Sequence, residues 1–243
     1  AYAVDTAIMS TAGVLGPIIA TTLALSSHPG SALIVCSIAM FVGGTALQLI
    51  PLTRDWVPEE KPENRQPIWK HRPFQLLLIE GSFIGFGWGV FDVAVPAFAT
   101  LEKVPHRTAW VFTAIGVSNI LGGLFGGLVS KNHSPLKSIR LGYVAWFIAS
   151  LPLAFTYPGW SMVVAGAFLG FTGGIIQVFY WEVTEAVRPQ GTQSSMLGWL
   201  WTVEGSIAAL GSSSAGWFSE TFSPRGALAI TTACIGIGLV ILH

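Results

Sequence analysis

Long apolar runs, interrupted by short stretches rich in Pro, Gly or charge, make up most of the chain. Each run is long enough for a bilayer, because a hydrocarbon core ~30 Å thick takes ~20 helical residues at ~1.5 Å each. Eight spans follow, at about residues 2–25, 31–52, 74–99, 109–130, 138–156, 160–181, 194–218 and 226–243. Ser26–Gly30 (SSHPG) and Tyr157–Gly159 (YPG) read as tight hairpins between spans. The one long polar segment, Thr53–Pro73, mixes charges with prolines and reads as a solvated linker. It separates residues 1–52, with two spans, from residues 74–243, with six.

Composition turns this pattern into a fold class. The 243 residues are 52% hydrophobic and 10% charged, with mean hydropathy +0.63. Soluble domains carry about 25% charged residues, so the chain reads as an all-α polytopic membrane protein. Net charge is zero, but its distribution is uneven. If linker 53–73 is cytoplasmic, the inner loops hold Arg54, Lys61, Arg65, Lys70, Arg72, Lys131, Lys137, Arg140 and Arg188, against Lys103, Arg107 and Arg225 outside. That bias predicts a multi-pass protein of the plasma membrane with the linker and C-terminus cytoplasmic. Trp69, Trp110, Trp160, Trp181 and Trp217 fall at predicted interfaces, where an indole meets both lipid and water.

The chemistry lies in acids placed inside apolar runs. In EGSFIGFGWGVFDVAVPAF (Glu80–Phe98), Asp92 shares a helical face with Gly81, Gly85 and Gly89. An acid in hydrocarbon costs at least ~2.5 kcal/mol, which makes it a functional candidate. Glu80 lies nearer the linker, where it can snorkel or pair with Arg72. Glu204 sits mid-span on a face with Trp201, Ala208, Gly211 and Ala215. Desolvation disfavours the charged form of such a carboxyl, so it can bind and release a proton, or bond a serine across a helix interface. Trp88 and Trp201 offer faces to a cationic or aromatic solute, and Gln177 offers an amide. Asp5 reads as an acid at a helix start, and Glu182, Glu185 and Arg188 as a hydrated interface cluster. Cys36 and Cys234 lie in separate apolar runs and read as buried small residues. The histidines form no metal or catalytic constellation, and no Gly-rich phosphate loop precedes a Lys-Ser/Thr pair. Neither metal, cofactor, enzyme activity nor nucleic-acid partner is expected. No secretory signal is visible; the chain opens directly into helix-like sequence and reads as part of a longer protein.

Six spans after a central linker resemble the second half of a major facilitator superfamily transporter, of the bacterial efflux-permease type. The resemblance runs from AYAVDTAIMSTAGVLGPIIATTLA through DVAVPAFATLE to GSSSAGWFSETFSPRGALAI. The family's helix-5 antiporter motif is met by Gly16-Pro17, with Ala3, Ala12 and Ala20-Thr21 at its remaining small positions. The segment Gly126–Arg140 is similar to the second copy of the family's cytoplasmic loop motif: Gly126 and Lys131 match, while Ser130 replaces the motif's Asp and His133 its second Gly. The resemblance implies helices 5–12 of twelve: the last two helices of the N-terminal bundle and a complete C-terminal six-helix bundle. It also implies that helix 7 lines a central cavity, where Asp92 would contact substrate or proton.

Together these features predict a secondary transporter, exporting a small organic solute against inward proton movement by alternating access. Its partners would be a small-molecule substrate, protons and the lipid bilayer, and it would be monomeric. An uptake symporter of the same fold and a non-transporting membrane sensor or scaffold are the alternatives.

Overall fold

The computed structural model describes residues 8, 11–13, 15, 16, 19, 23, 30–55, 57, 67–129 and 134–242. Among these, α and 3-10 helices are the only regular structure. The main helices are α1 (Gly30–Leu49), α2 (Arg72–Leu101), α3 (Arg107–Val129), α4 (Pro135–Ser150), α5 (Trp160–Val187) and α6 (Gln193–Leu242). Most of the first predicted span, including Asp5 and Pro17, lies outside the described residues, as does Lys131.

Local sequence explains where the helices start and stop. Pro73 lies in the first turn of α2, and Pro135 opens α4; there a missing N–H costs nothing and the ring pre-sets φ. At the end of α2, Lys103 takes φ 60°. Its N–H donates to Thr100 O at 3.0 Å, and the N–H of Val104 donates to Ala99 O at 2.8 Å. This is the Schellman arrangement, and Pro105 then prevents the helix resuming. Because α3 runs to Val129 and α4 starts at Pro135, Gly126 and residues 135–140 of the loop expected over Gly126–Arg140 belong to helices, and residues 130–133 lie outside the described residues.

The last two predicted spans are two helices joined at a one-residue kink. At Ser223 the backbone takes φ 72° and ψ 158°, and Pro224 follows. Proline disfavours the α region for the residue before it, yet its own φ suits a helix start. One residue therefore replaces the connection expected over residues 219–225. We call residues 193–222 the first arm of α6 and Ser223–Leu242 the second.

Six stretches among the described residues are long and apolar enough to cross a membrane: α1, α2, α3, Pro135–Phe155, α5 and the second arm. The first arm is long enough but less apolar, since Glu204, Gln193 and its serines and glycines dilute it. Almost all of α1 is exposed and only Ala32 is buried, so Cys36, expected to be buried, faces outward; Cys234 is buried. In the rest of the bundle, α2 packs along both arms of α6, α3 along α5, and α4 bridges α5 and α6.

Two sets of glycines set this packing. A Cβ at Gly89 would overlap the carbonyl of Ala208, and one at Gly85 that of Glu204. Across the bundle, a Cβ at Gly122 would overlap the carbonyl of Phe171, and one at Gly174 that of Asn119. Gly126 serves the same contact, its Cβ position lying 3.1 Å from Ile175 Cα. Small residues of this kind let backbones approach where lipid supplies no hydrophobic drive. Side-chain hydroxyls add cross-helix bonds: Thr231 Oγ1 donates to Gly87 O at 2.9 Å, and Ser212 Oγ to Gly89 O at 3.1 Å.

Candidate functional site

A cavity of about 230 Å³ lies where α2, α4, α5 and the first arm of α6 converge, with Asn119 of α3 at its wall. Glu80 and Glu204 supply its carboxyls, and Gln177 and Asn119 its amides. Trp88, Trp146, Trp181, Trp201, Tyr143 and Tyr180 supply aromatic surface. Among the described residues, no Lys, Arg or His lines the cavity.

The packing glycines put these groups at one depth. Gly85 lets the first arm come so close to α2 that its Cβ position is 3.2 Å from Glu204 Cγ. Glu204 is thereby carried by one helix and Glu80 by its immediate neighbour. On the other side of Glu80, Gly238 of the second arm leaves room for its Cγ at 3.7 Å and for Tyr143 Cε1 at 3.0 Å. The Tyr143 hydroxyl then donates to Glu80 Oε1. Both residues are deeply buried, Glu80 at 2% and Tyr143 at 1% exposure.

Glu80 therefore does not snorkel toward the membrane surface or Arg72, as its place near the linker suggests. Its partner lies 63 residues away on α4, and no local pattern announces it. Of the carboxylate's two oxygens, Oε2 is buried without a hydrogen-bond partner, as is the hydroxyl oxygen of Tyr180. A buried carboxyl needs a proton or a facing cation, and among the described residues the walls of this cavity supply no cation.

Two aromatic pairs line the cavity. Trp181 and Trp201 stack at 6.0 Å between centroids with planes 29° apart, and Trp201 stays 49% exposed. Trp88 and Trp146 lie 6.2 Å apart at 37°. The Trp146 indole N–H is held by Leu169 O at 3.2 Å, which fixes the ring against α5.

The structure thus brings together Glu80, Glu204, Trp88, Gln177 and Trp201. It leaves Asp92 out: that residue is exposed on α2, beyond the cavity wall, although it shares the glycine face with Gly85 and Gly89. Gly16 is helical and exposed, with no contact at its Cβ position, and its partner in the motif, Pro17, is outside the described residues. Gly126 is a buried packing residue. Sequence reading missed Tyr143, Tyr180, Trp146 and Asn119. Tyr180 follows Gln177 by one helical turn, a spacing that could have paired them on one face. Among the described residues no group of three His, Cys, Asp or Glu could hold a metal.

At the interface expected near residues 182–188, Arg188 Nη2 meets Glu185 Oε1 at 2.8 Å. At the opposite end of the bundle, Tyr157 donates to Glu102 Oε2 at 2.9 Å, and Arg107 Nη1 to Pro158 O at 2.9 Å. The carboxylate beside Tyr157 pushes the phenol above its ordinary range, first through that hydrogen bond.

A family model described as Major Facilitator Superfamily matches residues 1–212. No curated protein matches the sequence closely.

Proposed function

The chain belongs to the Major Facilitator Superfamily, a family of membrane transporters, and from that premise we propose that it exports a small organic solute of the cell in exchange for protons. The observation that carries this reading is the cavity with two carboxyls and no cationic side chain in its wall. A pair of acids in that setting can alternate between protons and a solute, which is what an exchange cycle requires. Glu204 is the coupling group, with Glu80 beside it; Trp88, Trp201 and Gln177 contact the solute. The Gly16-Pro17 pair resembles the antiporter motif of exporters and supports the outward direction. The Lys and Arg bias supports a cytoplasmic linker and a plasma-membrane location.

The test uses proteoliposomes holding the complete transporter under an imposed pH gradient, with internal pH followed as solute is added. Wild-type protein is expected to move protons only when solute is present. Glu204→Gln is expected to slow the coupled movement at least about tenfold, the scale of one lost charge-assisted interaction. Wild-type coupling in both Glu204→Gln and Glu80→Gln overturns the proposal.

A further inference from the structure

We propose that the solute this cavity takes is an organic ammonium ion that keeps N–H bonds, with a flat apolar body, rather than a neutral or fully alkylated molecule. The proposal rests on reading this cavity as the substrate site and names the class of molecule that fits it. Charge gives the first part. The lining holds Glu80 on α2 and Glu204 on α6, the weakly acidic Tyr143 on α4 and Tyr180 on α5, and no Lys, Arg or His. A cation is the ligand this wall can neutralise; an anion would meet two carboxyls and no counter-charge.

Hydrogen bonding gives the second part. Glu80 is nine-tenths buried and more, and its Oε1 is already taken by Tyr143. Its Oε2 is free, and so is the Tyr180 hydroxyl, which lies 3.9 Å from the Cβ position of Gly81, the residue next to Glu80. An R–NH₃⁺ group has N–H donors for Oε2 and for the Tyr180 oxygen together. A quaternary ammonium has none, and it would leave both buried oxygens unsatisfied. The third part is shape. Tyr143 carries the acid's partner, and its ring meets Trp146 edge-on at 5.6 Å, with Trp88 beyond. A flat body attached to the ammonium would lie against these indoles, which attract cations by their faces as well as burying apolar area.

The experiment is quenching of tryptophan fluorescence in the complete transporter, held in nanodiscs, by three probes of one skeleton. They are 2-phenylethylammonium, its N,N,N-trimethyl derivative and neutral 2-phenylethanol. The ammonium is expected to bind about tenfold or more tightly than either of the others, the scale of one charge-assisted hydrogen bond. Tyr180→Phe, which keeps the ring, is expected to bring the ammonium and trimethyl probes within about twofold of each other. Glu80→Gln is expected to remove the preference for ammonium over alcohol. Equal binding of ammonium and trimethyl probes overturns the proposal, as does equal binding of the alcohol, or quenching by none of the three. The transport reading fails separately: ammonium-selective binding without gradient-driven flux sinks that reading and keeps this one. Glu204-dependent flux of a neutral solute does the reverse.

Discussion

The pair formed by α2 with the first arm of α6 and the pair formed by α3 with α5 meet through the same device. In the first, Gly85 faces Glu204 and Gly89 faces Ala208; in the second, Ile115 faces Gly170 and Asn119 faces Gly174. Partner numbers rise together in each case, so each pair is parallel. A short turn at residues 102–106 reverses the chain between α2 and α3, so the two pairs run in opposite directions. Glu204 and Asn119 thus stand in matching places, each with its backbone carbonyl against a glycine and each at the cavity wall. One pair carries a carboxyl there, and the other a neutral amide. Similar packing with unequal charge separates what holds the bundle together from what gives it chemistry.

Substitutions can break this comparison at several strengths. The largest effect is expected from Gly89→Leu and Gly174→Leu, whose side chains would meet backbone rather than yielding side chains. Overpacking of this kind costs about 1–3 kcal/mol or more, and both variants should lose the monodisperse peak in size-exclusion chromatography. Survival of one and loss of the other would show that the pairs are not equivalent supports. Next comes the charged position. Glu204→Gln should keep the folded peak yet lose coupling about tenfold, whereas Asn119→Gln should change coupled flux by no more than about threefold, since no charge is removed. A smaller effect is expected from Thr231→Val, which deletes the bond to Gly87 O. It should lower thermal stability by about 1 kcal/mol, measured by thermal unfolding in detergent, with coupling retained.

Asp92→Asn is expected to be smaller still, within about twofold of wild-type flux, because Asp92 does not line the cavity. The mildest test concerns the contact tying α2 to the approach of α5. Tyr157 is a neutral donor to Glu102, and its phenol is held above the ordinary range. The bond is therefore present at neutral pH and is lost only as alkali ionises the phenol. Difference absorbance between wild type and Tyr157→Phe should show that ionisation at a pH above the ordinary tyrosine value of about 10.

Much of the architecture was legible before any coordinates. Apolar runs near bilayer length become helices because unsatisfied backbone groups are intolerable in lipid. Among the described residues, every predicted span from residue 31 onward except 194–218 coincides with a helix long and apolar enough to cross a membrane, and 194–218 is helical but less apolar. Ends were less legible. The kink at Ser223 looked like a loop because Pro224 is a helix breaker in general but a starter in this position. The site was half legible. Glu204, Trp201, Trp88 and Gln177 stand out as polar or aromatic residues in apolar context, and all reach the cavity. The burial of Glu80 is not legible locally, because it depends on Tyr143 and Gly238, both distant in sequence. Asp92 does not line this cavity, because a shared glycine face gives direction around the helix but not depth along it.

The single-residue corner at Ser223 has a mechanical meaning. Both arms of α6 press on α2, the first at Gly85 and Gly89 and the second at Gly87, whose Cβ position is 2.9 Å from Cys234 Cβ. The three lengths of helix form a clamp whose jaws share one pivot, with α2 as the workpiece. Both jaws grip the helix that carries Glu80, and the first jaw carries Glu204. Inserting a few flexible residues at the pivot would give the jaws independent strokes.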